Sequence, residues 1–213
     1  IYGKTEESMM PESPTVFVID DDEHARMSVC ALVQSMGMPA RGYASAEQFL
    51  DERDMNQAGC VVTDVRLAGM SGVELQEKLK ADDVSLPVIV ITAFARTSTT
   101  VRAMQNGALT VLEKPYRDDE LWDGIRKAVA LDDRQRATRN HRREVHNRIA
   151  AFTPSQYKVM DMIVAGKTNK AIARALDVSV RTVESRRREV YSTMQASSVA
   201  ELVRMLTGAG ILE

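Results

Sequence analysis

Five residues in the first half of this chain have the types and the spacing of one reaction centre. Asp20 and Asp21 close an apolar run, Asp64 closes a second, Thr92 a third, and Lys114 follows a fourth. Three acids, a hydroxyl and an amine suit a divalent cation held beside a carboxylate that accepts a phosphoryl group. Asp64 is the candidate nucleophile; attack on phosphorus by an ionised carboxylate gives an acyl phosphate. Incoming group and nucleophile are both negative, so a cation is required. Mg²⁺ takes oxygen ligands and uses one or two carboxylates plus water and phosphate oxygens, which Asp20, Asp21 and Asp64 can supply. Thr92 is placed to hydrogen-bond one phosphoryl oxygen and Lys114 to pair with another. Asp22 and Glu23 read instead as acids favoured in the first turn of a helix by its dipole.

These residues lie almost a hundred positions apart, so the elements between them must bring them together. Val16 to Ile19, Cys60 to Thr63, Val88 to Ile91 and Leu109 to Leu112 are short, rich in β-branched residues and not alternating, as strands buried on both faces are. Ala40 to Tyr43 is a weaker fifth, with Ser45 as N-cap of the next helix. Helical spacing appears over Ala25 to Met36, Val73 to Leu79 and Val101 to Met104. Strand alternating with helix predicts an α/β doubly wound, five-stranded parallel sheet. In such a sheet ligands gather at the carboxyl ends of the strands.

Ile19-Asp20-Asp21-Asp22-Glu23, Thr63-Asp64-Val65-Arg66, Met70-Ser71-Gly72, Ile91-Thr92-Ala93 and Glu113-Lys114-Pro115 occur in order at these strand ends. Residues 14–130 therefore resemble the receiver domain of bacterial response regulators. The resemblance implies a flavodoxin-like (CheY-like) fold, phosphorylation of Asp64, Mg²⁺ held in part by the backbone carbonyl of Arg66, and a cis bond before Pro115. Two positions depart from the family. Val111 stands where Phe or Tyr usually reports phosphorylation, and Ala68 stands where Pro is usual, which predicts a looser loop after Asp64.

The chain has 213 residues and a formal charge of −2, a length that suits two domains. Residues 1–130 carry a net −8 and residues 131–213 a net +6, so a nucleic-acid partner is expected for the second half. No apolar run approaches a membrane span and no secretory signal is visible, which points to a cytoplasmic protein with no membrane partner. Cys30 and Cys60 read as buried free thiols. Residues 1–13 are expected to be disordered, with Met9 or Met10 as the native start.

From Asp118 to Ala150 the only Gly is Gly124 and there is no Pro. The stripe of Leu121, Ile125 and Val129 predicts a last receiver helix that runs on through residues 131–150 as a polar connecting helix. A flexible tether is the alternative. The basic residues there read as a solvated face, with DNA phosphates as a second use.

Residues 151–213 open with Thr153-Pro154-Ser155-Gln156, a capping box with Pro at the first helical position. A short helix after Thr168, the turn Asp177-Val178-Ser179, a helix from Val180 and a last helix from about Ser198 suggest a small all-α helix-turn-helix unit. The strings 166–173, 176–179, Arg181-Thr182-Val183-Glu184 and 200–204 resemble the LuxR-type output domain. Gln156 replaces that family's usual Glu, and Arg186 its usual His. With the receiver in front, the chain resembles the NarL/FixJ family, most closely its FixJ branch.

At 100° per residue, Val183, Val190 and Met194 share the core face of the recognition helix. Arg181, Ser185, Arg188 and Ser192 lie opposite, with Glu184 at the edge and Arg187 nearer the core. Arg188 suits a guanine edge and Glu184 a cytosine. Asn169, Lys170 and Thr182 suit phosphates. The resemblance implies a DNA-binding transcriptional regulator, not an enzyme. Its partners would be a sensor histidine kinase, promoter DNA, a second copy on phosphorylation, and RNA polymerase as a further candidate. The alternative is a constitutive DNA-binding regulator whose receiver is a protein-interaction module.

Overall fold

The computed structural model describes residues 13–54, 57–82, 84–93 and 97–212. The expectations for residues 1–13, Ser13 apart, and for Met9 or Met10 as the start, lie outside them. Strands β1 (Thr15–Ile19), β2 (Ala40–Tyr43), β3 (Gly59–Asp64), β4 (Val88–Thr92) and β5 (Thr110–Glu113) form one parallel sheet in the order β2-β1-β3-β4-β5. Helices α1 (Glu23–Ser35), α2 (Ala46–Glu52), α3 (Gly72–Ala81) and α4 (Thr97–Gln105) alternate with the strands, and α5 (Asp118–Ala150) follows. The doubly wound sheet is as expected. After their carboxyl ends the chain leaves β1 for β2 on one side and β3 for β4 on the other, which makes the crevice where an open α/β sheet binds ligands.

Each strand sends alternate residues to opposite faces, so the sheet has two cores. Phe17, Ile19, Val61 and Val90 pack with Phe49, Leu75 and Leu79 on one side. Val16, Val18, Val62, Ile89 and Ile91 pack with Val29, Val33, Leu121 and Ile125 on the other. Phe49 stands 5.4 Å from Phe17 and 5.3 Å from Tyr43, ring centre to ring centre, within the range favoured by aromatic pairs.

Two details near the site correct the sequence reading. Asp22 is the N-cap of α1 and accepts the Ala25 N–H at 3.0 Å, so Glu23 alone is the acid of the first turn. The loop after Asp64 is tied down despite Ala68. Met70 N–H donates to Glu47 at 2.8 Å, Gly72 N–H to the Val65 carbonyl at 3.1 Å, and Ser71 with Glu74 closes a capping box. Gly72 permits this approach: a Cβ there would lie 2.3 Å from the Asp64 carbonyl oxygen.

The chain divides into two compact units between Gln135 and Arg136. The segment read as a polar connector is built into both. In the first unit Asp132 is buried and accepts the Gly59 N–H at 2.9 Å. Gly59 itself has no room for a side chain, since a Cβ would meet the Thr15 carbonyl oxygen at 1.8 Å. In the second unit, Val145 of α5 is fully buried with α6 (Pro154–Val164), α7 (Asn169–Leu176), α8 (Val180–Met194) and α9 (Val199–Gly208). Arg148 donates to the Met194 carbonyl at 2.7 Å and to Gln195 Oε1 at 2.8 Å. Arg142 reaches the Gly208 carbonyl at 3.3 Å. The expectation of a solvated face, or of service to DNA, is therefore corrected for Arg148, which is half-buried with its charge shared between Glu144 and the end of α8, while Arg142 stays exposed as expected and adds one contact to an orphan carbonyl.

A fragment of residues 136–213 should unfold cooperatively, and one beginning at Ala151 should be weaker by roughly 2–4 kcal/mol. That is the scale of losing the burial that Val145 and part of Ile149 contribute to the core. Urea midpoints of the two fragments measure the difference; equal midpoints would refute it.

Candidate functional site

All the chemistry-bearing residues of the first unit lie at the carboxyl edge of its sheet. Asp20 follows the last residue of β1, Asp64 and Thr92 are the last residues of β3 and β4, and Lys114 follows β5. Register fixes this convergence, because Ile19 pairs with Thr63, Asp64 with Ile91 and Thr92 with Glu113. Lys114 N–H donates to the Thr92 carbonyl at 2.8 Å, and the Lys114–Pro115 peptide is cis.

The Lys114 ammonium joins the two acids. Its Nζ lies 2.6 Å from Asp64 Oδ2 and 3.2 Å from Asp20 Oδ2. The remaining oxygens are held by backbone. Asp64 Oδ1 accepts the Arg66 N–H at 2.9 Å, and Asp20 Oδ1 accepts the Asp22 N–H at 3.0 Å. Arg26 donates to the Asp20 carbonyl at 2.6 Å, a contact the sequence reading missed. Burial pulls the Lys114 amine down, but its hydrogen bonds to Asp64 and Asp20 and their charges outweigh that and hold it above its ordinary value. Burial pushes the Asp20 carboxyl up, and the Asp22 N–H and Lys114 offset only part of that rise.

Asp20 and Thr92 are buried, Asp64 and Lys114 partly so, and Asp21 is exposed. Among the described residues no three His, Cys, Asp or Glu side chains gather tightly enough to hold a metal unaided. The donors nevertheless fit Mg²⁺, which binds through one or two carboxylates and completes its shell with water and phosphate oxygens. Here two anchored carboxylates face one cation, and every donor is oxygen. Tyr116 was also missed: burial raises its phenol first, and the charges of Lys114, Asp20 and Asp64 act on it. Its only sequence signal is its place two residues after Lys114. Val111 is half-buried against the Phe17 core and offers no ring.

In the second unit, Thr153 caps α6 with Gln156 in a capping box, Thr168 caps α7 and Ser179 caps α8. Asp177 takes φ +50° at the turn, a left-handed geometry that Asp tolerates. Val183, Val190 and Met194 are fully buried, so the core face of α8 is as read. Arg181, Glu184, Ser185 and Arg188 are exposed, as is Lys170 of α7; Asn169 and Thr182 are half-buried. Thr182 Oγ1 lies 2.8 Å from Ser179 Oγ. Arg187 lies over the Tyr191 ring, 5.7 Å from its centre, and donates to its hydroxyl at 3.2 Å. Its stem packs while its charge stays at the surface.

Residues 16–126 match the response regulator receiver domain, and residues 150–206 match the luxR family of bacterial regulatory proteins. The chain is 40% identical over 202 residues to transcriptional regulatory protein FixJ of Azorhizobium caulinodans, covering 95% of this chain and 96% of that one. It is 37% identical to FixJ of Bradyrhizobium diazoefficiens, with 92% and 96% covered. Among solved structures it is similar to response regulator StyR, at a TM-score of 0.85, 34% identity, and 92% and 98% coverage. It is also similar to full-length FixJ from B. japonicum, at a TM-score of 0.57, 36% identity, and 94% and 98% coverage. No described helix is long and apolar enough to cross a membrane.

Asp20 gives the site a pH signature. A carboxyl whose folded pKa lies above its unfolded value binds its proton more tightly when folded. Stability therefore falls as pH rises through that interval and stays lowered above it. Asp20→Asn should accordingly melt higher than the parent at pH 7, the gap closing as pH falls toward the ordinary 3.8 of Asp. Thermal melts across pH 4 to 8 check this, and a gap that widens toward low pH would contradict it.

Proposed function

The chain belongs to the response-regulator family, a receiver joined to a LuxR-type DNA-binding half, and on that premise we propose that phosphorylation of Asp64 controls its binding to promoter DNA. It is a two-component response regulator acting as a transcription factor; the control, the donor and the contacts are the proposal. The observation that carries it is the Lys114 ammonium held on both Asp64 and Asp20 at the edge of the sheet. The division of labour is a receiver over 14–130, a helical segment over 131–150 and a DNA-binding half over 151–213. The protein works in the cytoplasm and regulates rather than catalyses.

In the proposed reaction an Asp64 oxygen attacks phosphorus in line with the phosphohistidine nitrogen of a sensor histidine kinase. The O–P bond forms as the N–P bond breaks. The Arg66 N–H fixes the second oxygen of Asp64 and so the direction of attack. Lys114 exchanges its carboxylate contact for a phosphoryl oxygen, and the Thr92 hydroxyl holds another. Mg²⁺ would be held by Asp20, Asp21, Asp64 and the Arg66 carbonyl, and would neutralise charge between donor and acceptor. The acyl phosphate then favours a homodimer that presents two recognition helices, with half-sites about one helical turn apart and RNA polymerase as the next partner. The acidic pocket favours this reading over a constitutive regulator, which has no use for a lysine-bridged pair of carboxylates.

The phosphorylation prediction is read by mass spectrometry after treatment with acetyl phosphate and Mg²⁺. One phosphoryl group should appear on Asp64, none on Asp64→Asn, and none when the metal is chelated. Uptake by Asp64→Asn at the parent's rate would reject the assignment.

For the DNA half, Arg188→Ala should cost about 1–3 kcal/mol on the best operator and flatten the preference at one base pair. Lys170→Ala should weaken all sequences nearly alike and lower the salt slope by about one. Binding isotherms on selected and scrambled sites separate the two. The opposite pattern would displace α8 from the groove.

A further inference from the structure

On the exposed side of α8, three side chains form a chain of hydrogen bonds whose direction is fixed at both ends. Gln156 Oε1 accepts the Thr153 N–H at 2.8 Å. A backbone amide can only donate, so the amide nitrogen of Gln156 must point the other way. It donates to Glu189 Oε2 at 2.7 Å. The second oxygen, Glu189 Oε1, faces Ser185 Oγ at 3.3 Å. An ionised carboxylate carries no hydrogen, so the serine hydroxyl is the donor. Ser185 has one hydrogen and spends it on Glu189, leaving its lone pairs for whatever α8 meets.

Resting on the reading of α8 as the helix that enters the groove, we propose that Gln156 and Glu189 are positioning residues that make Ser185 an acceptor, so that it reads an exocyclic amine. In the major groove those amines are adenine N6 and cytosine N4, whereas guanine O6 and thymine O4 are acceptors. A serine free to rotate reads either kind; this one reads adenine or cytosine on the strand it faces. Gln156 is required by Glu189. A carboxylate at position 156 could still cap Thr153, but it would set oxygen against oxygen at the contact now 2.7 Å long. The α6 cap thus reaches the recognition surface through two side chains.

Reversing the chain tests it. In Glu189→Gln the new amide oxygen accepts from Gln156, which turns its nitrogen toward Ser185. The serine then accepts from position 189, and its hydrogen is released to the groove. In the double variant Gln156→Glu/Glu189→Gln, the carboxylate at position 156 accepts from the position-189 nitrogen. The amide oxygen again faces Ser185, and the serine donates inward once more. Binding-site selection with the full-length protein, with and without acetyl phosphate, reads the outcome. The parent should favour adenine or cytosine at one position by roughly two- to tenfold, the worth of one neutral hydrogen bond. Ser185→Ala should lose that preference alone. Glu189→Gln should admit guanine and thymine as well and so flatten it, since the serine keeps a second lone pair beside its freed hydrogen, and the double variant should restore it, with neighbouring positions unchanged throughout. If Glu189→Gln keeps the parent's preference, or if the double variant does not restore it, the proposal is wrong. A parent that selects no sequence would remove the groove reading and this inference with it, a result distinct from a parent that selects normally and a Glu189→Gln that selects just as the parent does.

Discussion

Two carboxylates face each other at the edge of this sheet, and one ammonium keeps them there. Lys114 touches Asp64 at 2.6 Å and Asp20 at 3.2 Å. Without it the acids would repel, and Asp20, already made costly to ionise by burial, would have its backbone contact alone to hold its charge. The arrangement is expensive to fold and ready to react, because any incoming cation or phosphoryl group finds partners already gathered. Much of the first unit serves that contact. Sheet register aligns the strand ends, the Thr92 carbonyl holds the Lys114 backbone, and Gly72 lets α3 close beneath Asp64. Functional sites commonly store cost of this kind and recover it elsewhere in the fold. Here the recovery comes from two apolar cores that sandwich one parallel sheet.

The parts of this design that were legible in the sequence are those governed by local rules. Non-alternating β-branched runs read as buried strands because each strand is covered on both faces. The α6 cap was visible in Thr153, Pro154 and Gln156, since a capping box needs four consecutive positions and no distant partner. The convergence of Asp20, Asp64, Thr92 and Lys114 followed from a rule about strand ends. What escaped was pairing across long separations. Asp132 sat in a run of charges and read as polar surface, yet it is buried on the Gly59 N–H, 73 positions away. Arg148 looked like one more basic residue until Met194 and Gln195, 46 and 47 positions on, claimed two of its nitrogens. Charge in a sequence states that a partner is needed and is silent on where the partner lies. The loop after Asp64 shows the same limit. Ala68 in place of Pro suggested freedom, while Glu47, 23 positions before Met70, supplies the tether.

Helix α5 joins these points. A polar connector would be free to vary, because nothing would depend on its length or phase. Here Asp132 and Gln135 make contacts within the first unit, and Val145 and Arg148 make contacts within the second. Within each unit the spacing is what counts, since each residue turns a helix by about 100°. One residue inserted between Asp132 and Gln135 would turn the one against the other by that angle and cost the first unit a contact, and one inserted between Val145 and Arg148 would do the same in the second. Each contact stripe is thus fixed by its own unit, on a run of 33 helical residues that is broken by no proline and carries one glycine.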